Sequence, residues 1–525
     1  MADISRILSA RTPLTLARVA PGAQPLVMSD LARAASGRAV FIAPDDAAMR
    51  GVVDAAAFFA PELEIIEFPA WDSLPYDRAS PALTISARRL AALHKLQIGE
   101  KSSQLLVTTA NAVLQRVLSP FRIRENIREF AQGTEIGRDS LSQLLQRQGY
   151  SRTDTVIDKG EYAIRGSVVD VFPSGLDMAL RLDFFGDELE SLRTFDPGTQ
   201  MSTGSLQSHL LLPASEALLD EGSIKRFRTR YRELFGANAT QDPLYEAVSE
   251  GRRLAGMEHW LPLFEDRLVT LFDHLDEQDL VVIDQAAFAA AEERVKDIGD
   301  YYAQRKATSG QAKGNYRPLE SDALYLGMDE FNAALADASA HRVTPFDEPE
   351  SSTVVDFGFR SGRDFAPERA RGENVYPALA DHIRSLARDG KRPILAAYSQ
   401  GSRSRIASIL EEAGTPVQFA DSWQEALGQS RDGKPSAVVL PMESSFANDE
   451  VELLTEQGIL GDRLVRPRRK RRDADAFLAE LQALSVGDLI VHTEHGIGKY
   501  LGLSPIQVGK SQHDCVKPGR SVARA

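Results

Sequence analysis

"LRLDFFGDELESLRTFD", Leu180 to Asp196, alternates apolar and polar residues up to a Gly-Asp pair and then resumes the alternation. A period of two marks a strand with one buried face. Gly186 and Asp187 can turn the chain into a return strand. Leu180, Leu182 and Phe184 then share one face, and Arg181, Asp183 and Phe185 share the other. That second face sets a ring between charges, as binding hot spots do: the ring buries area while arginine and carboxylate fix orientation. Phe185 packed under a neighbouring loop is the competing reading, and alternation alone leaves both open.

Just upstream, "EYAIRGSVVDVFPSG" (Glu161–Gly175) has the same strand character, so residues 123–212 read as a β-rich insertion. The flanks are different. "RAVFIAP" (Arg38–Pro44), "LEIIEFPAWDSLPYD" (Leu63–Asp77), the helix "ISARRLAALHKL" and the strand "QLLVTTANAVLQRV" alternate strand with helix before the insertion, and "DLVVIDQAAFAAAEER" (Asp279–Arg294) resumes that rhythm after it. Such alternation indicates α/β units on a parallel sheet. The fold class is therefore α/β, one domain in two parts (residues 1–122 and 213–345) around the insertion. "RPILAAYSQGSRSRIASILEEAG" and "SAVVLPMESSF" repeat the pattern as a second, smaller α/β domain over residues 346–460. "RLVRPRRKRRDADAF" reads as an exposed basic linker leading into a short helix (residues 461–483), because no alternation hides so many adjacent cations.

The 525 residues exceed one hydrophobic core, and 43% hydrophobic with 26% charged content is ordinary for a folded globular chain. A net charge of -14 opposes nucleic-acid binding over the whole surface, so any DNA contact is expected to be weak and local, at Arg468, Arg469, Lys470, Arg471 and Arg472. One cysteine, Cys515, excludes an intramolecular disulfide and a cysteine-based zinc site. With no apolar run long enough for a bilayer and no signal-like start, a cytoplasmic monomer without membrane contact is expected.

Several segments suggest chemistry that their residues do not complete. The strand-turn-helix "VAPGAQPLVMSDLA" (Val19–Ala32) sits where a P-loop would, but offers Gly22 without the lysine and Ser/Thr that hold phosphates. The GKS at Gly509–Ser511 lacks the earlier glycine and a following helix. "LVVID" ends in Asp284 and Gln285, where an ATPase has paired carboxylates; a plain strand end and a decayed ATPase position both fit. Trp71 and Tyr76 read either as a base-stacking platform or as a loop packed on the core. In "GDLIVHTEHGIGKYLGL" (Gly487–Leu503), His492 and His495 lie three apart on a strand and face opposite ways, so no shared metal is expected; Gly496 and Gly498 suit a strongly bent barrel. Arg165 alone reads as an ordinary surface arginine.

Taken in order, "FPAWDSLPYD", "GEYAIRGSVVDVFPSG", the hairpin, the basic linker and the final glycine-rich segment resemble the amino-terminal part of the bacterial transcription-repair coupling factors. The resemblance implies a degenerate helicase-like α/β domain, similar to that of UvrB, whose β-rich insertion binds UvrA through Arg165, Arg181 and Phe185, with Asp183, Asp187 and Glu188 nearby. It also implies that residues 484–525 begin an RNA polymerase interaction domain, an incomplete Tudor-like, CarD-like barrel that contacts the polymerase β subunit at His492, Gly496, Gly498, Tyr500 and Leu501. The family's ATP and Mg chemistry resides in a translocase with a P-loop and DExx box, which these residues lack, so a chain without catalytic residues or cofactors is expected. The tail "CVKPGRSVARA" departs from the family pattern and shows no alternation, so a truncated barrel without a strand there is expected, and polymerase binding with it is doubtful.

Overall fold

The computed structural model describes residues 4–98, 104–173, 176, 178–236, 242–308, 316–430 and 434–461, and the backbone of 489–492, 496–508 and 511–520. They fall in two units, residues 1–463 and 464–525.

In the first unit seven parallel strands make one sheet, in the order Val354–Asp356, Thr15–Ala17, His341–Val343, Leu280–Asp284, Ala39–Ala43, Gln104–Thr109, Glu64–Phe68. Strands from both sides of the insertion pair directly, with Leu280–Ile283 aligned on Ala39–Ile42. The strand Val354–Asp356 lies past the expected boundary at residue 345 and still joins this sheet at its edge. A parallel sheet is covered on both faces, which is why its central strands are continuously apolar. Phe41, Leu105, Val107 and Val282 pack on one side with the helices Gln24–Ala34 and Asp46–Phe59. Val40, Ile42, Leu106, Val281 and Ile283 pack on the other with Leu83–Lys95 and Gln285–Thr308.

The smaller α/β sheet has the order Arg360–Ser361, Phe446–Ala447, Val451–Thr455, Arg392–Ala397, Ser436–Val439, Gln418–Phe419. It does not stand apart. Ile394, Val438, Phe446 and Leu453 share a core with Phe41 of the first sheet and Phe59 of the helix Asp46–Phe59 that covers it, and Phe59 meets Trp423 edge-on at 5.0 Å.

The insertion leaves the first sheet after Thr109 and re-enters its core at Glu216. There Glu216 accepts from Arg89 Nε at 2.8 Å and from Trp71 Nε1 at 2.7 Å, while the Arg89 guanidinium lies 4.3 Å from the Phe68 ring centre. Both ionic side chains are completely buried. Trp71 is thus bonded and packed, 6% exposed, and Tyr76 is 3% exposed. The stacking-platform reading of "FPAWDSLPYD" falls away, because neither ring has a face free for a base.

His259 packs against both rings, edge-on to Trp71 at 5.8 Å and stacked on Tyr76 at 6.4 Å. Burial pushes its pKa down to about 4, and does the same to His274.

In the second unit the backbone forms a three-stranded antiparallel sheet, Leu489–His492, Gly496–Val508 and Ser511–Arg520. The expectation that nothing beyond residue 514 forms a strand is corrected. Cys515 to Arg520 pairs with Gly498–Ser504, because ladder bonds satisfy backbone groups whatever the side-chain pattern.

Removing one partner of a buried ion pair strands the other charge, so Glu216→Ala should cost about 3–5 kcal/mol in urea unfolding, while Glu67→Ala, whose partner Arg88 is half exposed, should cost under about 1 kcal/mol. The two histidines fold neutral and unfold with ordinary pKa values, so the unfolded state binds more protons between pH 6.5 and 4. Their contribution is present above pH 6.5 and is lost as the pH falls toward 4. The urea midpoint should drop over that window, and drop less in His259→Asn.

Candidate functional site

The hairpin forms as its alternation dictates, strands Ala179–Phe185 and Glu188–Phe195. Leu180, Leu182 and Phe184 are buried against Leu141 and Leu145 of the helix Arg138–Arg147 and against Phe130, each apolar side chain contributing about 1.5–3 kcal/mol. Gly186 takes φ +64, the positive value that a two-residue turn with glycine first requires. A bulge follows: Asp183 faces Ser191 and Phe184 faces Leu189, leaving Glu190 unpaired. This keeps Phe184 and Leu189 together on the core side and turns Phe185 outward at the tip, 79% exposed. Phe185 is therefore not packed under a loop.

The hairpin belongs to the insertion's own sheet, in the order Ser202–Leu206, Glu188–Phe195, Ala179–Phe185, Val168–Val171, Glu161–Arg165, Ser151–Arg152, and the outward face of that sheet is organised by a residue that alternation does not single out. Asp170, on the neighbouring strand Val168–Val171, stands opposite Arg181 and is 1% exposed. Its carboxylate accepts from Arg181 Nε at 2.7 Å and Nη2 at 2.9 Å and from Arg165 Nη2 at 2.6 Å. This ion pair holds the Arg181 guanidinium charged beyond its usual range. The Phe195 ring lies 4.6 Å from the same guanidinium. Arg193 stands directly across from Arg181 on the return strand, where two cations would repel, but Arg193 is drawn aside by Asp183, which its Nε reaches at 3.1 Å and which also accepts from Ser191 at 2.8 Å. The result is a row of fixed guanidinium groups across the strands, Arg165 and Arg193 nearly half exposed, with the exposed phenyl ring four residues along the strand of Arg181, at the turn.

Of the residues expected from the sequence, Arg165, Arg181, Asp183 and Phe185 share this face; Asp187 and Glu188 are exposed at the turn. Asp187 shields Gly137, whose Cβ position would lie 3.3 Å from Oδ1. Asp170, Arg193 and Gln200 complete the face and were not read from the sequence; "SVVDVF" shows a charge inside an apolar run, which is the one signal that could have marked Asp170. His492, Gly496, Gly498, Tyr500 and Leu501 lie in the three-stranded sheet of the second unit, with Gly498 opposite both Ile490 and Arg520. Arg468, Arg469, Lys470, Arg471 and Arg472 lie outside the described residues. Among the described residues no group of three or more His, Cys, Asp or Glu could hold a metal ion, and no helix is long and apolar enough to cross a membrane.

At the P-loop position the geometry is closed. A Cβ on Gly22 would lie 2.3 Å from the Ser444 carbonyl oxygen, and Gln24 donates to Asp284 at 2.5 Å, with both side chains buried.

A family model described as the UvrB interaction domain matches residues 129–216, which contain the whole guanidinium row and the exposed ring. A second, the CarD-like/TRCF RID domain, matches residues 484–517. Over 503 residues the chain is 31% identical to a transcription-repair-coupling factor of Haemophilus influenzae, covering 94% of the chain and 42% of the relative. The corresponding protein of Escherichia coli is 28% identical over 491 residues, with 92% and 41% covered, and that of Myxococcus xanthus is 28% identical over 478, with 85% and 38% covered. The chain thus spans about two fifths of the length of the relatives it matches.

Asp170→Asn leaves two guanidinium groups facing one neutral amide. It should lower stability by about 2–3 kcal/mol in urea unfolding, less than a fully buried pair because Arg165 is half exposed.

Proposed function

On the premise that this chain belongs to the transcription-repair-coupling factors and corresponds to their amino-terminal two fifths, we propose that it is a recruitment module, which brings the excision-repair protein UvrA to a stalled transcription complex through the outward face of its insertion. The observation that carries this is Phe185, exposed on the same face as the guanidinium groups that Asp170 and Asp183 fix, inside the segment that matches the UvrB interaction domain. Preorganised side chains lose little entropy on docking, and an exposed ring beside fixed arginines is the hot-spot pattern of protein interfaces.

The three-stranded sheet supports a second contact of the same module, with the RNA polymerase β subunit, through residues matching the CarD-like/TRCF RID domain. The seven-stranded sheet is read as a helicase-like domain that no longer handles nucleotide. Ser444 occupies the space over Gly22 that a phosphate would need, and Gln24 engages Asp284 where a lysine and a metal would otherwise be. In the family, ATP-driven movement on DNA belongs to the translocase, and none of that chemistry is assigned to these residues. The rival reading, DNA binding, loses the support of Trp71, which is buried and bonded to Glu216.

Calorimetric titration with UvrA tests the proposal. The parent chain should bind with micromolar or tighter Kd, and Phe185→Ala should weaken binding at least tenfold with an unchanged melting temperature, since the ring is exposed. Arg165→Ala should weaken it less. Equal affinity of the parent and a Phe185→Ala, Arg181→Ala double variant would place the contact elsewhere.

A further inference from the structure

The hairpin residues alone make too small a docking site. From Arg181 to Phe185 the strand advances about 13 Å at roughly 3.3 Å per residue. A standard interface buries about 800 Å² per partner, a patch roughly 30 Å across. The face has to continue, and on the side away from the turn the structure offers the continuation.

Gln200 stands there with φ +60, a backbone state that costs free energy for a residue with a Cβ. Its own bonds hold it. Its N–H donates to the Asp196 carbonyl at 2.7 Å, its Nε2 donates to the carbonyls of Pro197 at 2.6 Å and Val156 at 3.0 Å, and its carbonyl accepts from Arg181 Nη1 at 3.3 Å. Arg165 Nη2 reaches its Oε1 at 3.5 Å. One strained residue therefore ties two loops to the guanidinium row.

Each loop carries a large apolar side chain into solvent: Met201, following Gln200, is 69% exposed, and Ile157, following Val156, is 56% exposed. Neither loop is loose. The Met201 carbonyl accepts from Asp196 N–H at 3.0 Å, and the Ile157 N–H donates to Glu161 Oε2 at 2.8 Å. Beneath them Val156, Ala163, Phe172, Ala179 and Phe195 form a closed small core that does not use either side chain. Local strain, pinned loops and unused apolar area thus coincide at the end of the strands away from the turn.

We infer that Ile157 and Met201 form a second apolar anchor of the docking face, joined by Gln200 to the Arg165–Arg181 pair, with Phe185 as the anchor at the other end. The inference rests on the UvrA reading above. Between the anchors three cations, Arg165, Arg181 and Arg193, face two carboxylates, Asp170 and Asp183. The matching surface on UvrA is then an acidic strip flanked by two apolar hollows.

The test is calorimetric titration of UvrA into the full chain and into Met201→Glu, Ile157→Glu, Phe185→Ala and Leu234→Glu, the last an exposed apolar residue on the helix Glu221–Phe235. Met201→Glu and Ile157→Glu should each weaken binding at least tenfold at unchanged melting temperature, and Leu234→Glu should bind as the parent does. Binding within twofold of the parent for both glutamate variants, with Phe185→Ala defective, would overturn the second anchor and leave the hairpin reading standing. No binding by the parent, or binding that none of the variants changes, would overturn both.

Discussion

A guanidinium and a carboxylate sealed from water are tolerable only while they face each other, and Arg89 and Glu216 meet that condition with Trp71 completing the carboxylate's bonds. Arg89 sits on the helix Leu83–Lys95 that covers one face of the seven-stranded sheet, and Glu216 ends the segment by which the insertion returns. The pair therefore ties down the point where the excursion rejoins its host. Replacing both with apolar residues could be as stable, but an apolar contact has no direction. The charged pair accepts one register, so it locates the insertion's outward face relative to the α/β core.

The same logic, moved to the surface, makes the candidate site. Asp170 is buried as deeply as Glu216, but its partners, Arg181 and then Arg165, lie progressively nearer solvent. The two guanidinium groups offset the cost of burying the carboxylate and the carboxylate holds them in turn, so flexible side chains become a rigid pattern before any partner arrives. Gln200 extends that pattern with backbone strain offset by its hydrogen bonds. Stability is placed where it shapes a surface.

The corner at Gly22 shows how a backbone approach and one buried hydrogen bond close the end of the sheet. Gly22 allows a close approach of the backbone at Ser444, and the Gln24–Asp284 hydrogen bond lies beside it. The smaller sheet shares the core around Phe41, Phe59 and Phe446, so this contact also joins two sheets into one unit.

The sequence by itself determined the strand-helix rhythm of the host sheets, the hairpin and its two faces, because these depend on periods of two and 3.6 that are written locally in "LRLDFFGDELESLRTFD" and its flanks. It could not decide whether Phe185 or Trp71 was the exposed ring, since exposure depends on what other segments cover: Glu216, 145 residues away, claims Trp71, and among the described residues Phe185 stays 79% exposed. Nor could it show Asp170 as the hub, or the strand that forms beyond residue 514 without alternation. Those outcomes were decided by the tertiary structure, because a buried charge, a strained backbone and an unpaired ladder each take their meaning from a partner that the chain brings in from elsewhere.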